Sequence, residues 1–161
     1  MLFRSKYDPG FGKEVTWDIP LLEEYDFQFV RNTSRKPGSH HFFGIINPTL
    51  NNEIENWNAD AILVYGWNFS SHVKAISYFH GKKPVYFRGD SIVEDNHLNP
   101  VKSIFKKFAL KWLYSKIDAA FYVGKLNQKY FKKYGVKEDK LIFAPHAVEN
   151  DRFDKIGRAH V

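Results

Sequence analysis

Residues 119–144 read AAFYVGKLNQKYFKKYGVKEDKLIFA, and this stretch decides the fold. It opens on a short apolar run, 119–123, of the length and composition of a buried strand. A helical segment follows at roughly 126–134, and Gly135 is placed to stop it. The charged turn from Lys137 to Lys140 then feeds a second apolar run, 141–144. Strand, helix and strand in that order form a βαβ unit, because a helix that returns the chain across a sheet leaves the two strands parallel.

Working outward, further apolar runs bounded by turn residues occur at 27–30, 61–65 and 85–87, each predicting a strand. Between the last two, Ser70 and Ser71 are placed to cap a helix running to Phe79. Val73, Ile76 and Phe79 recur at helical spacing along it, and Gly81 follows its end. From Pro100 to Lys116, Val101, Ile104, Phe105, Phe108 and Trp112 fall on one stripe while Lys107 and Lys111 point away, which predicts an amphipathic helix with that stripe against the core. Residues 32–41, with Pro37, Gly38 and the paired His40 and His41, read as a loop. The alternation predicts an α/β fold, a parallel sheet with helices on both faces and ligands at the carboxyl ends of its strands.

Composition bounds this picture. A chain of 161 residues, 43% hydrophobic, can bury one core, so a single globular unit is expected. Fifteen Phe, nine Tyr and four Trp are more rings than a core of this size needs, and some should line a cleft. With no Cys there is no disulfide framework, thiolate metal site or thiol nucleophile, and the cytoplasm is the expected compartment. No run approaches the ~20 apolar residues of a membrane span. The net charge of +6 favours phosphate-bearing partners.

Several candidate functional residues follow the predicted strands. Arg88, Gly89, Asp90 and Ser91 come just after the strand at 85–87: Gly89 permits a tight turn, Arg88 can clamp a phosphate, and Asp90 can accept a hydrogen bond from a substrate hydroxyl. The competing structural role is an Arg88–Asp90 ion pair closing a loop. Trp67 and Asn68 follow the strand at 61–65, where an indole face suits the apolar side of a sugar ring and an amide supplies donor and acceptor. The alternative is a Trp folded over the core. Lys125 stands at the start of a helix, a position that favours an anion. His146, after Pro145, can bond a ligand or a neighbouring carbonyl. His40, His41, His72, His80 and His97 lack metal-ligand spacing, so no metal is expected.

The chain has no dinucleotide Gly-x-Gly-x-x-Gly turn, Walker loop or Gly-x-Ser-x-Gly elbow; Gly10-Phe11-Gly12-Lys13 does not fit the first of these. Residues 1–155 are expected to be a partial domain whose first strand-and-turn unit is missing. Residues 156–161 resemble the translation of a sequencing adapter and are set aside as a non-native tail.

The segment Ala119-Ala120-Phe121-Tyr122-Val123-Gly124, then Gly135-Val136, then Lys140-Leu141-Ile142-Phe143-Ala144-Pro145-His146-Ala147-Val148-Glu149 and Phe153 resembles the glycosyltransferases of family 4, of GT-B fold. The stretches 60–64 and 84–90 are similar to consecutive strands of that family's N-terminal Rossmann-like domain. Tyr7-Asp8-Pro9-Gly10-Phe11-Gly12-Lys13 and 17–25 are similar to its early acceptor region, and so bring Gly12 into the candidate cleft. The resemblance spans roughly 7–153. It implies the acceptor-side half of an enzyme that transfers a sugar from a nucleotide-sugar to a glycan or lipid-linked acceptor hydroxyl, with retention, without metal and with no cofactor. The C-terminal donor-binding domain and its paired-glutamate motif are absent from the 161 residues. Where relatives carry a His beside an Asp, this chain has Arg88-Gly89-Asp90, so Asp90 alone is carried over as catalytic; His146 and Ala147 replace an Asn-Gly pair.

Two competing readings are an epimerase-like nucleotide-sugar enzyme, which needs a dinucleotide turn, and a basic module on an anionic membrane. The second would use Lys102, Lys106, Lys107, Lys111 and Lys116, at about 1 kcal/mol per lysine. It places the protein peripherally at the inner face of the membrane, whereas a nucleic-acid partner is disfavoured because the rings are not interleaved with Arg.

Overall fold

The structure, a computed structural model, describes residues 5–8, 12–16, 22, 23, 25–93 and 100–147. In chain order its elements are β1 (Ser5–Asp8), β2 (Lys13–Thr16), α1 (Leu50–Asn56), β3 (Ile62–Tyr65), α2 (Ser70–Phe79), β4 (Val85–Arg88), α3 (Pro100–Tyr114), β5 (Ala119–Tyr122), α4 (Lys125–Lys133) and β6 (Leu141–Phe143). Single turns of 3-10 helix occupy Phe42–Gly44 and Glu138–Lys140. β1 and β2 form an antiparallel hairpin. The other four strands make one parallel sheet in the order β3-β4-β5-β6, so the α/β, Rossmann-like class holds.

Each strand of that sheet pairs with the next in sequence, and right-handed crossovers between such neighbours carry α2, α3 and α4 to the same side. The burial pattern agrees. Ile62, Val64, Val85, Phe87 and Ala120 share one buried cluster with Ile76 and Phe79 of α2, Leu110, Leu113 and Tyr114 of α3, and Tyr130 and Phe131 of α4. Each fully buried Leu, Ile or Phe of this set contributes about 1.5–3 kcal/mol. Helices on both faces were expected; among the described residues the opposite face, with Leu63, Tyr65 and Ile142, is exposed.

The amino ends of the strands are held by polar contacts. Asp118 accepts from Val85 N–H at 2.8 Å and returns its own N–H to the Val85 carbonyl at 2.8 Å. Lys140 Nζ donates to the Ile117 carbonyl at 2.6 Å and Lys83 Nζ to that of Ala59 at 2.7 Å. Such bonds satisfy carbonyls that would otherwise be orphaned where strands begin.

Three expectations are corrected. Residues 27–30 form no strand: the Val30 and Arg31 carbonyls accept instead from Asn47 Nδ2, at 3.1 and 3.0 Å, in a loop that also ties Thr33 N–H to the Ile46 carbonyl. Ser70 and Ser71 do not cap α2, whose N-cap is Phe69. They lie inside its first turn, buried, and both hydroxyls donate to the Ile45 carbonyl at 3.2 Å. The α3 stripe of Ile104, Phe105, Phe108 and Trp112 faces solvent, and the core is met by Leu110, Leu113 and Tyr114. Finally, α1 and the β1–β2 hairpin were not anticipated. Residues 9–11, 17–21, 94–99 and 148–161, on which parts of the resemblance and the tail fall, lie outside the described residues.

Candidate functional site

The strand ends come first. Gly66 follows β3 with φ of 73°, a left-handed conformation that a side chain disfavours, and its N–H extends the ladder to the Arg88 carbonyl at 2.7 Å. His72, one turn into α2, holds this corner: its Nδ1 donates to the Gly66 carbonyl at 3.1 Å, and burial lowers its pKa from 6.5. Trp67 is thereby presented half-buried at the carboxyl end of β3, packed on the core by one side. Gly89 follows β4 at a point where a Cβ would stand 3.1 Å from the Phe87 ring, closer than packing allows without a shift.

These loops and the one after β6 enclose a cavity of about 750 Å³ at the carboxyl ends of the strands. Its floor is aromatic. Phe87, Tyr114 and Phe131 meet edge-to-face with centroids 5.3, 5.5 and 6.0 Å apart, and Tyr130 joins them. Burial, with Tyr130 and Tyr134 close by, pushes the Tyr114 phenol far above its ordinary value, so it stays neutral. Asn127, 2% exposed, spans the floor: Nδ2 donates to the Ser91 carbonyl at 2.9 Å and Oδ1 accepts from Val123 N–H at 3.1 Å.

The rim is polar. Arg88 Nη2 lies 3.5 Å from both His146 Nδ1 and the Pro145 carbonyl. The other ring nitrogen of His146, Nε2, faces Asp90 Oδ1 at 3.7 Å. The competing Arg88–Asp90 pair is not formed; His146 stands between them. His146 and Asp90 side chains are 61% and 64% exposed, so their attraction adds little stability and both remain open to a ligand.

A search of protein-family models, of curated proteins and of solved structures finds no match to this chain. What the cavity can do therefore rests on its own residues. Of the positions picked out in the sequence, Trp67, Asn68, Arg88, Gly89, Asp90, Ser91 and His146 all line it. Gly12 lies in the β1–β2 turn and Lys125 is an exposed first residue of α4, and neither is in the lining. Tyr65, Asn127 and the aromatic floor also line the cavity and carry no signal of this in the sequence, since a ring count does not separate core from cleft. Lys106, expected with Lys102, Lys107, Lys111 and Lys116 on a basic face, instead has its Nζ 5.9 Å from the Trp67 ring centroid and 5.8 Å from that of Tyr130. Among the described residues, no three His, Asp or Glu side chains are grouped to hold a metal ion.

Proposed function

We propose that this cavity is the acceptor site of a retaining glycosyltransferase of GT-B type, and that the chain is its acceptor-side half. The observation that carries the reading is one polyol-sized cavity at the sheet's carboxyl edge, with an indole and aromatic floor on one side and Asn68, Asp90, Arg88 and His146 on the other. Trp67 would stack on the apolar face of a sugar ring, and Asn68 and Asp90 would take its hydroxyls. Asp90, beside the His146 ring, is the group to polarise an acceptor hydroxyl, while Arg88 supplies positive charge for a phosphate at the same rim. Donor binding belongs, on this reading, to a second domain, so these residues alone bind acceptor weakly and turn nothing over.

The test is a titration of the protein with neutral methyl glycosides and with sugar phosphates, read by intrinsic fluorescence, alongside a transfer assay with nucleotide-sugars. Millimolar-range binding, about −4 kcal/mol, that W67A abolishes and D90A weakens, with no turnover, is the expected result. Turnover by the chain alone, or a panel of glycosides that binds equally to W67A, would reject the assignment.

A further inference from the structure

The outward face of α3 carries a second site. At about 100° per residue, the stripe of Leu110, Leu113 and Tyr114 that meets the sheet lies opposite Ile104, Phe105, Phe108 and Trp112. These four are 56%, 72%, 68% and 51% exposed, so the helix is apolar on two faces and one of them looks into solvent. Lys107 and Lys111 are exposed along the edge of that stripe, and Lys116 Nζ lies 4.9 Å from the Trp112 ring centroid. Residues 100–116 contain no Asp or Glu.

We propose that this face docks the protein on an anionic lipid surface. Ile104, Phe105, Phe108 and Trp112 enter the headgroup boundary, and Lys107, Lys111 and Lys116 extend their methylene stems so that their ammonium groups meet lipid phosphates. A large apolar face edged by lysines, on a helix whose residues 100–116 hold no carboxylate, is the pattern of a helix lying in the plane of a membrane. No helix of the described residues is long and apolar enough to cross one. A second copy is the poorer occupant, since it would bring two lysine rims together in a chain already at +6. Lys106, on the inward side of α3, reaches Trp67, so the docked face stands about one helix diameter, 10–12 Å, from the cavity wall. The proposal does not depend on the sugar reading.

The experiment is co-sedimentation of the 161-residue protein with vesicles of phosphatidylcholine alone and of phosphatidylcholine mixed with phosphatidylglycerol, over a range of salt. Binding is expected to the anionic vesicles only, weakening as salt rises, with fluorescence quenched by brominated acyl chains in the wild type and much less so in W112F. F105S/F108S should keep the wild-type circular dichroism and melting curve and lose at least about tenfold in affinity; K107E/K111E should lose roughly tenfold at low salt. A protein that stays in the supernatant with anionic vesicles at low salt overturns the proposal, as does binding undiminished in F105S/F108S. A dimer that F105S/F108S disperses and anionic vesicles do not compete away also overturns it, and assigns the face to a second copy.

Discussion

Asn127 makes two hydrogen bonds across the cavity floor while 2% exposed, so an Asn127→Ala variant leaves the Val123 N–H and Ser91 carbonyl short of a partner. The expected loss is about 1–3 kcal/mol in urea unfolding. His72 gives a pH signature. Its folded pKa is lowered from 6.5, so the folded state binds fewer protons than the unfolded one just below that value. Its contribution is complete above 6.5 and is lost as pH falls from there toward the lowered folded value. The melting temperature should therefore drop below that pH, and His72→Gln should flatten the drop. At this scale the rim was legible, because Arg88, Asp90 and His146 sit where strands end, and strand ends follow from the alternation. Asn127 was not, since a helical Asn looks the same whether it faces water or ties two loops.

The elements show where periodicity stops informing. The helical spacing of α3 is legible in the sequence but its buried side is not: with Ile104, Phe105, Phe108 and Trp112 on one side and Leu110, Leu113 and Tyr114 on the other, period alone does not choose a face. Leu113→Ala should cost about 2–5 kcal/mol, whereas F105S/F108S should stay within about 0.5 kcal/mol of wild type, both measured by chemical denaturation. Equal losses would place the outward stripe in the core. The run at 27–30 failed as a strand for a related reason. Its apolar residues met no sheet edge, and the backbone beside them found Asn47 instead.

For the whole molecule, sequential strand order fixes both the strength and the asymmetry of the fold. Consecutive right-handed crossovers fill one face with helices and leave Leu63, 43% exposed, and Ile142, 44% exposed, on the other. L63K/I142K should leave unfolding free energy within about 0.5 kcal/mol and raise solubility, while Ile76→Ala should cost about 2–5 kcal/mol. The α/β class was readable from the alternation of strand and helix, but the one-sided layering was not, because alternation does not state the order in which strands pair.

The same sheet puts every chemically suited side chain of the rim at one end, and amide mapping by NMR during a glycoside titration tests that convergence most directly. Shifts confined to Gly66–Asn68, Arg88–Ser91, Asn127 and His146–Ala147, and erased in W67A, are the expected result. Shifts that map to the α3 outward face or the open sheet face instead, or none at all across neutral and phosphorylated sugars, would contradict the assignment of the cavity to a sugar acceptor.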